Sequence, residues 1–168
     1  MFDYNSVNRM IKNKTIMTQL KKGDKAPQFT GKDQNGNSVS LADFIGKKLV
    51  VYFYPKDMTP GCTSQACNLR DNYSALTKEG VSILGVSADN QVLHHKFIEK
   101  YDLPFPLLAD EDKAVINAFG VWGPKKFMGK EYDGIHRTTF LINEKGEIHD
   151  VITKPKTKAH AEEILELY

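Results

Sequence analysis

The sequence predicts an α/β protein with a mostly parallel central sheet, an antiparallel hairpin at one edge and helices on both faces. Two observations support this prediction. Residues 49–54 and 81–86 are apolar runs without alternation, which is typical of parallel strands buried on both faces. Segments with helical spacing of apolar residues follow both runs, and such alternation of strands and helices indicates a layered α/β fold.

The other elements are assigned from turn residues and apolar spacing. An Asn35-Gly36 pair predicts a hairpin, and Gly80 and Pro104 mark the ends of two helices. Residues 120–135 are rich in glycine and predict a long irregular segment. In chain order, we predict a hairpin at 29–39, a helical turn at 41–45, a strand at 49–54, a helix at 60–78, a strand at 81–86, a helix at 90–101, a short strand at 107–108, a helix at 113–119, a hairpin at 138–152 and a final helix that contains 161–168.

The composition is that of a single domain. The chain has 168 residues, of which 40% are hydrophobic and 2 are cysteines. A chain of about 150 residues buries roughly 70% of its unfolded surface, so it needs neither a disulfide framework nor a structural metal. The net charge of +2, without any long basic run, predicts no binding to nucleic acid. The two cysteines therefore need another explanation.

The small positive charge belongs to the first segment of the chain. Residues 1–16 contain three basic residues and one acidic residue, so the remainder is formally neutral. The segment lacks the apolar core of a secretory signal or a membrane span, and it predicts a disordered extension before a domain at residues 17–168. Met17 is an alternative start. With no signal peptide and few cysteines, the protein is expected in the reducing cytoplasm, away from membranes.

Cys62 follows the first buried strand and lies in the first turn of the next predicted helix. Open α/β sheets bind their ligands at this carboxyl edge. Thr59 is the predicted N-cap and Pro60 the first helical residue, which leaves unpaired backbone N–H groups near the thiol. Such a position lowers a thiol pKa from about 8.5 toward roughly 3.5–7.5, so Cys62 is predicted to react as a thiolate. An unreactive buried cysteine is the alternative.

Cys67 lies five residues further along the same predicted helix. This helical spacing separates the two Cα atoms by about 8.6 Å, whereas a disulfide requires no more than about 7 Å. If the two cysteines pair, the first turns of the helix must unwind. The protein would then alternate between a folded reduced form and a locally unfolded oxidised form.

No metal or cofactor site is predicted. The Cys-x4-Cys spacing differs from that of a Cys-x-x-Cys dithiol, a zinc site needs two further ligands, and an iron–sulfur cluster needs more thiolates. The five histidines are expected at the surface or in structural roles, because none lies in a motif that would give a base its partner.

The segment Pro55-Lys-Asp-Met-Thr59-Pro-Gly-Cys62 resembles the Pro-x-x-x-Thr-x-x-Cys signature of peroxiredoxins. The continuation Cys62-Thr-Ser-Gln-Ala-Cys67 and the later stretch FGVWGPKKFMGKEYDGIHRTTFLI are similar to their Q-type subgroup, the bacterioferritin comigratory proteins. The resemblance covers residues 17–168. It implies a thioredoxin-like fold and a thiol peroxidase that serves antioxidant defence and redox homeostasis.

The resemblance also implies a catalytic cycle. Cys62 would be the peroxidatic cysteine, whose thiolate attacks the peroxide O–O bond and becomes a sulfenic acid. Cys67 would be the resolving cysteine, which forms an intramolecular disulfide with Cys62 and releases water. Thioredoxin, the usual electron donor of the family, would then reduce the disulfide by thiol exchange. One chain can complete this cycle, so a monomer is expected.

Four other positions match the family pattern. Thr59 would hold the thiolate and the peroxide oxygen through its hydroxyl, and Arg137 would stabilise the thiolate and polarise the peroxide. Pro55 would shield the site, and Gln65 would add a polar group near it. Four further side chains are candidates for an apolar collar that admits organic hydroperoxides, although such side chains more often belong to the core: Phe53, Trp122, Phe127 and Met128.

Two other functions stay open for a protein of this pattern. One is a protein disulfide reductase or isomerase on the same fold, and the other is a redox-responsive chaperone or sensor in which peroxide unwinds the helix and exposes Leu69. Thr59 and Arg137 favour the peroxidase, because a disulfide exchanger needs neither of them. The preference between hydrogen peroxide and organic hydroperoxides depends on pocket shape, which the sequence leaves open.

Overall fold

The computed structural model describes residues 18–168, so the predicted extension at 1–16 and the alternative start at Met17 lie outside the described residues. The strands are β1 (Thr30–Asp33), β2 (Ser38–Ser40), β3 (Lys48–Phe53), β4 (Val81–Ser87), β5 (Leu107–Ala109), β6 (Trp122–Phe127), β7 (Lys130–Ile135), β8 (Thr138–Ile142) and β9 (Ile148–Ile152). The helices are α1 (Pro60–Asp71), α2 (Tyr73–Lys78), α3 (Gln91–Tyr101), α4 (Ala114–Ala118) and α5 (His160–Leu167), and a 3-10 turn spans Leu41–Phe44.

Seven of these strands form the central sheet, in the order β2-β1-β5-β4-β3-β8-β9. The three central strands β3, β4 and β5 are parallel, as the apolar runs predict. Strands β8 and β9 form the predicted antiparallel edge hairpin, and β1 and β2 form a second one at the opposite edge. The predicted α/β class is confirmed, and the parallel part of the sheet is confined to its centre.

Two hydrophobic clusters cover the two faces of the sheet. Leu49, Val51 and Phe53 point into one cluster, while Val50 and Tyr52 point into the other. Each of these residues is at most 1% exposed. Burial on both faces explains why the run lacks alternation. The cluster that contains Val50 and Tyr52 also receives the buried side chains of α1, so the first strand and the cysteine-bearing helix share one core.

The helix predicted at 60–78 is in fact two helices, because α1 ends before Asn72 and α2 begins after it. Asn72 has a φ of −109°, and its side-chain amide donates to the backbone carbonyl of Asn68 at 2.9 Å. Asparagine favours such local bonds over regular helix. The apolar stripe remains in phase across the break, since Leu69 and Leu76 are both fully buried.

The prediction of an irregular segment at residues 120–135 is wrong. Strands β6 and β7 pair antiparallel along their whole length and form a separate two-stranded sheet. Met128 and Gly129 connect them with φ values of 50° and 79°. Two consecutive positive φ values are typical of a type I′ turn, whose twist matches that of a hairpin. Most side chains of this hairpin are exposed or half-buried, so no apolar pattern marks the strands in the sequence.

Within residues 18–168, no helix combines the length and the apolar character needed to cross a bilayer.

The turn of the β6–β7 hairpin gives a testable prediction. Gly129→Ala introduces a side chain at a φ of +79° without touching any other residue, so backbone strain is the dominant effect. We expect the free energy of unfolding to fall by about 1 kcal/mol in urea titrations. Lys130→Ala, at the next, exposed position, is the control. Equal unfolding midpoints for the two variants would contradict the turn geometry.

Candidate active site

Cys62 lies at the N-terminal end of α1, beyond the carboxyl end of β3, as predicted. Thr59 occupies the N-cap position with extended backbone, and Pro60 is the first helical residue. The Thr59 side chain does not cap the helix, because its hydroxyl donates to the Lys56 carbonyl at 2.8 Å. Within the described part of the chain, no hydrogen bond joins this hydroxyl to the Cys62 sulfur. Thr59 therefore braces the loop before α1 in this structure.

Arg137 reaches Cys62 and Gln65, which both lie on α1. Arg137 lies between β7 and β8, and its Nη2 donates to the Cys62 Sγ at 3.2 Å. Its Nη1 donates to the Gln65 Oε1 at 2.6 Å. A Cβ at Gly61 would lie 3.3 Å from Nη2, so this glycine leaves room for the guanidinium. Two hydrogen bonds in one plane fix the guanidinium against the thiol.

Pro55 and Cys67 are the two remaining residues of the predicted site. Pro55 lies two residues after the end of β3 and is half-buried, and Cys67 is half-buried further along α1. Both cysteines are free thiols. Since α1 is continuous between them, helical geometry holds their Cα atoms about 8.6 Å apart. A disulfide between them requires α1 to unwind first.

A buried polar network that the sequence did not predict holds the loop between β3 and α1. The Nδ1 of His94 lies 2.7 Å from Asp57 Oδ2, and its Nε2 lies 3.0 Å from the carbonyl of Leu108. The Tyr54 hydroxyl donates to Asp57 Oδ1 at 2.6 Å, and the Asp57 amide donates to Asp89 Oδ2 at 2.8 Å. Burial raises the pKa of Tyr54 well above its usual value, which keeps the hydroxyl protonated as a donor.

His94 lies between two acceptors on different parts of the fold. One ring nitrogen lies against the Asp57 carboxyl group in the loop before α1 and the other against the backbone carbonyl of Leu108 in β5, so the ring joins the loop to the central sheet. Ligand atoms of Asp57, Asp89 and His94 lie within 4.8 Å of one another, close enough to hold a cation. Each side chain already has a hydrogen-bond partner in the protein. We therefore interpret the cluster as an anchor for the loop.

Comparisons with known proteins show the family of the chain. Residues 22–151 match the AhpC/TSA family. Peroxiredoxin Bcp of Escherichia coli is 54% identical over 149 residues, which cover 89% of this chain and 96% of the relative. The chain belongs to the peroxiredoxin family. Peroxiredoxin Bcp of Bacillus subtilis is 48% identical over 144 residues, which cover 86% of this chain and 92% of the relative.

Solved structures agree with this assignment. Xanthomonas campestris peroxiredoxin Q has a TM-score of 0.79 and 35% identity, with 89% of this chain and 94% of that chain covered. Peroxidoxin BcpB from Mycobacterium tuberculosis has a TM-score of 0.78 and 34% identity, with coverages of 89% and 96%. The thioredoxin-like fold, the Q-type resemblance and the thiol peroxidase activity predicted from the sequence are confirmed.

The four side chains considered for an apolar collar do not meet around Cys62 in this peroxiredoxin. Phe53 is fully buried in the aromatic core, and Trp122 is half-buried where the β6–β7 hairpin begins. Phe127 and Met128 are 66% and 88% exposed at the tip of the hairpin. The core position of Phe53 agrees with the more common behaviour of aromatic residues.

Lys125 is a charged residue near the site that the sequence analysis missed. It lies in β6 and is half-buried, and its Nζ donates to the carbonyl of Ile135 at 2.9 Å. Burial lowers the pKa of Lys125, and the positive charge of Arg137 lowers it further. The charge of Cys62 raises this pKa. Only the pairing of β6 with β7 brings Lys125 toward Arg137, so no local sequence signal was available.

The Asp57–His94 pair gives a second prediction. His94→Leu leaves a buried oxygen of Asp57 without its hydrogen-bond partner, and we expect a loss of about 2 kcal/mol in the free energy of unfolding. Asp57→Asn removes the other partner and should also destabilise the protein. The double variant should lose clearly less than the sum of the two single variants, as measured by urea unfolding. Additive losses, within about 0.5 kcal/mol, would contradict a coupled pair.

Proposed function

We propose that this peroxiredoxin reduces hydroperoxides through a Cys62 sulfenic acid and a Cys62–Cys67 disulfide. The observation that carries this proposal is the contact of 3.2 Å between the Arg137 guanidinium and the Cys62 sulfur. A guanidinium stays protonated at all working pH values, so it stabilises the thiolate before the reaction. It also stabilises the negative charge that develops on the peroxide oxygen as the O–O bond breaks.

In the first step, the Cys62 thiolate attacks one oxygen of the peroxide. An S–O bond forms and the O–O bond breaks, so sulfur is oxidised to a sulfenic acid while the peroxide is reduced. The second oxygen leaves with the bonding electrons and takes up a proton, which yields water or an alcohol. We infer that the Thr59 hydroxyl turns from the Lys56 carbonyl toward the bound peroxide, a movement that one side-chain rotation achieves.

Two further residues support this step. Gln65 is fully buried and accepts a hydrogen bond of 2.6 Å from Arg137, so we propose that it fixes the direction of the guanidinium. Pro55 lacks a backbone N–H and lies two residues after the end of β3, and we propose that it shapes the loop and limits the access of water to the thiolate.

In the second step, Cys67 attacks the sulfur of the Cys62 sulfenic acid. A disulfide forms and water leaves, which prevents further oxidation to the irreversible sulfinic acid. The continuous helix α1 holds the two residues too far apart, so its first turns must unwind before this step. An external dithiol then reduces the disulfide by exchange, and we propose thioredoxin as that donor.

The substrate range and setting are also proposals. Alkyl peroxide reduction activity is named for the bacterioferritin comigratory protein of Xanthomonas campestris, which has a TM-score of 0.79 and 35% identity to this chain. We propose that hydrogen peroxide and organic hydroperoxides are both substrates here. We further propose a cytoplasmic monomer, because dithiol donors are kept reduced there and one chain holds both cysteines. The domain start at residue 17 and the absence of nucleic-acid and membrane binding stay predictions.

The two cysteines can be separated in a coupled assay with thioredoxin, its reductase and NADPH. Wild-type protein should oxidise NADPH only when peroxide is present. Cys62→Ser should be inactive, because no thiolate is left to attack the peroxide. Cys67→Ser should consume one equivalent of peroxide and then stop, since the sulfenic acid has no internal partner. Peroxide turnover by Cys62→Ser would overturn the assigned roles, and reduction of insulin disulfides without peroxide would favour a disulfide reductase.

Unwinding of α1 can be measured by amide hydrogen exchange. Amides of residues 62–68 should be protected in the reduced protein and should exchange rapidly in the disulfide form, because the oxidised helix has lost its backbone hydrogen bonds. Amides of α3 serve as the internal control and should be protected in both forms. Equal protection of residues 62–68 in the two forms would contradict the proposed cycle.

A further inference from the structure

Lys125 carries a positive charge that the proposed catalytic cycle does not use. The side chain is half-buried, and its ammonium is held at 2.9 Å by the carbonyl of Ile135, the last residue of β7. Arg137, which contacts Cys62, follows only two residues later. In an extended chain, the Cα atoms of residues i and i+2 lie roughly 7 Å apart. The ammonium is thus fixed beside the segment that carries the peroxide-site arginine.

The β6–β7 hairpin holds this lysine in a defined position. A Cβ at Gly134 would come within 3.0 Å of the Lys125 Cδ, so the glycine lets the lysine stem lie flat across the hairpin. His136 closes the end of the hairpin, because its amide donates to the Val121 carbonyl at 2.7 Å and its Nε2 lies 3.0 Å from the Pro124 carbonyl. These two bonds join His136, the residue before Arg137, to Val121 and Pro124 in the segment that carries Lys125.

We propose that Lys125 is a second cation of the peroxide site, which acts beside Arg137 to stabilise the negative charge on Cys62. This inference rests on the proposed role of Cys62 as the residue that reacts with peroxide. Arg137 makes the direct contact with sulfur, and Lys125 acts through space at longer range. Because Cys62 is 1% exposed and Lys125 is half-buried, their charges are screened less than two charges at an open surface.

The electrostatics agree with this role. The charge of Cys62 raises the pKa of Lys125, which burial and Arg137 lower. The interaction free energy between two ionisable groups is the same whichever group is titrated. A thiolate that stabilises the ammonium is therefore stabilised by the ammonium to the same extent.

The other charged groups of the hairpin do not neutralise Lys125. Side chains alternate between the two faces of the hairpin, so Lys130 and Tyr132 share the face of Lys125. The carboxylates of Glu131 and Asp133 belong to the opposite face, where Glu131 lies 3.9 Å from Lys126. The face with Lys125 therefore carries no carboxylate among the hairpin residues. Arg137 and Cys62 are the groups outside the hairpin that act on it.

The chain offers a matched control in Lys126, which is the next residue of β6 and is exposed. In a Cys67→Ser background, only Cys62 titrates as a thiol, and its thiolate is followed by ultraviolet absorbance. Lys125→Met should raise the titration midpoint by about half to one pH unit and lower the peroxide rate constant below that midpoint by roughly three- to tenfold. Lys125→Arg should restore both values, and Lys126→Met should change neither.

A reciprocal measurement does not depend on any lysine variant. The pKa of Lys125, measured by NMR of its side chain, should fall when Cys62→Ser removes the thiolate charge. An unchanged Cys62 midpoint in folded Lys125→Met, or an equal change in Lys126→Met, would overturn the inference. If Lys125→Met does not fold, an unchanged pKa of Lys125 in Cys62→Ser would be sufficient to overturn the inference. Peroxide turnover by Cys62→Ser would instead contradict the proposed function, which a failure at Lys125 leaves intact.

Discussion

The contact between the Arg137 guanidinium and the Cys62 sulfur is the interaction on which the site depends. Cys62 is only 1% exposed, and burial by itself disfavours a thiolate. A fixed positive charge next to the sulfur is therefore required. The two residues are 75 positions apart in the chain, and the antiparallel pairing of Phe53 with Thr138 brings them together. The register of β3 and β8 thus sets the position of the arginine relative to α1.

The site combines a fixed part with a part that must move. The loop between β3 and α1 is fixed, because Asp57 is bonded to His94, Tyr54 and Asp89. Met58 has a positive φ of 66° in this loop, a strain that persists only where the surroundings enforce it. The movable part is the beginning of α1. Its buried residues before Cys67 are Cys62, Gln65 and Ala66, so unwinding exposes no large apolar side chain, and Leu69 lies beyond the segment that must open.

The sequence predicted the parts of the molecule that have a local signal. The apolar run at 49–54 identified one of the three central strands, and the motif from Pro55 to Cys62 placed the thiol at the start of α1. The β6–β7 hairpin escaped prediction because its strands bury few side chains, and its turn uses Met128 in a conformation that glycine or asparagine usually adopts. His94 gave no local signal either, because its partner Asp57 is brought to it only by the packing of α3 on the sheet.

The charge of the sulfur also connects the chemistry to the movement of the helix. In the reduced protein, the guanidinium of Arg137 bonds to Cys62 and to Gln65, which holds the first two turns of α1 against the sheet. In the proposed cycle, oxidation converts an anionic thiolate into a neutral sulfenic acid. A hydrogen bond to a charged acceptor is roughly twice as strong as one between neutral groups, so this conversion weakens the bond that holds the helix. The first chemical step thereby lowers the cost of the unwinding that the second step requires, and the spacing of Cys62 and Cys67 makes that unwinding obligatory.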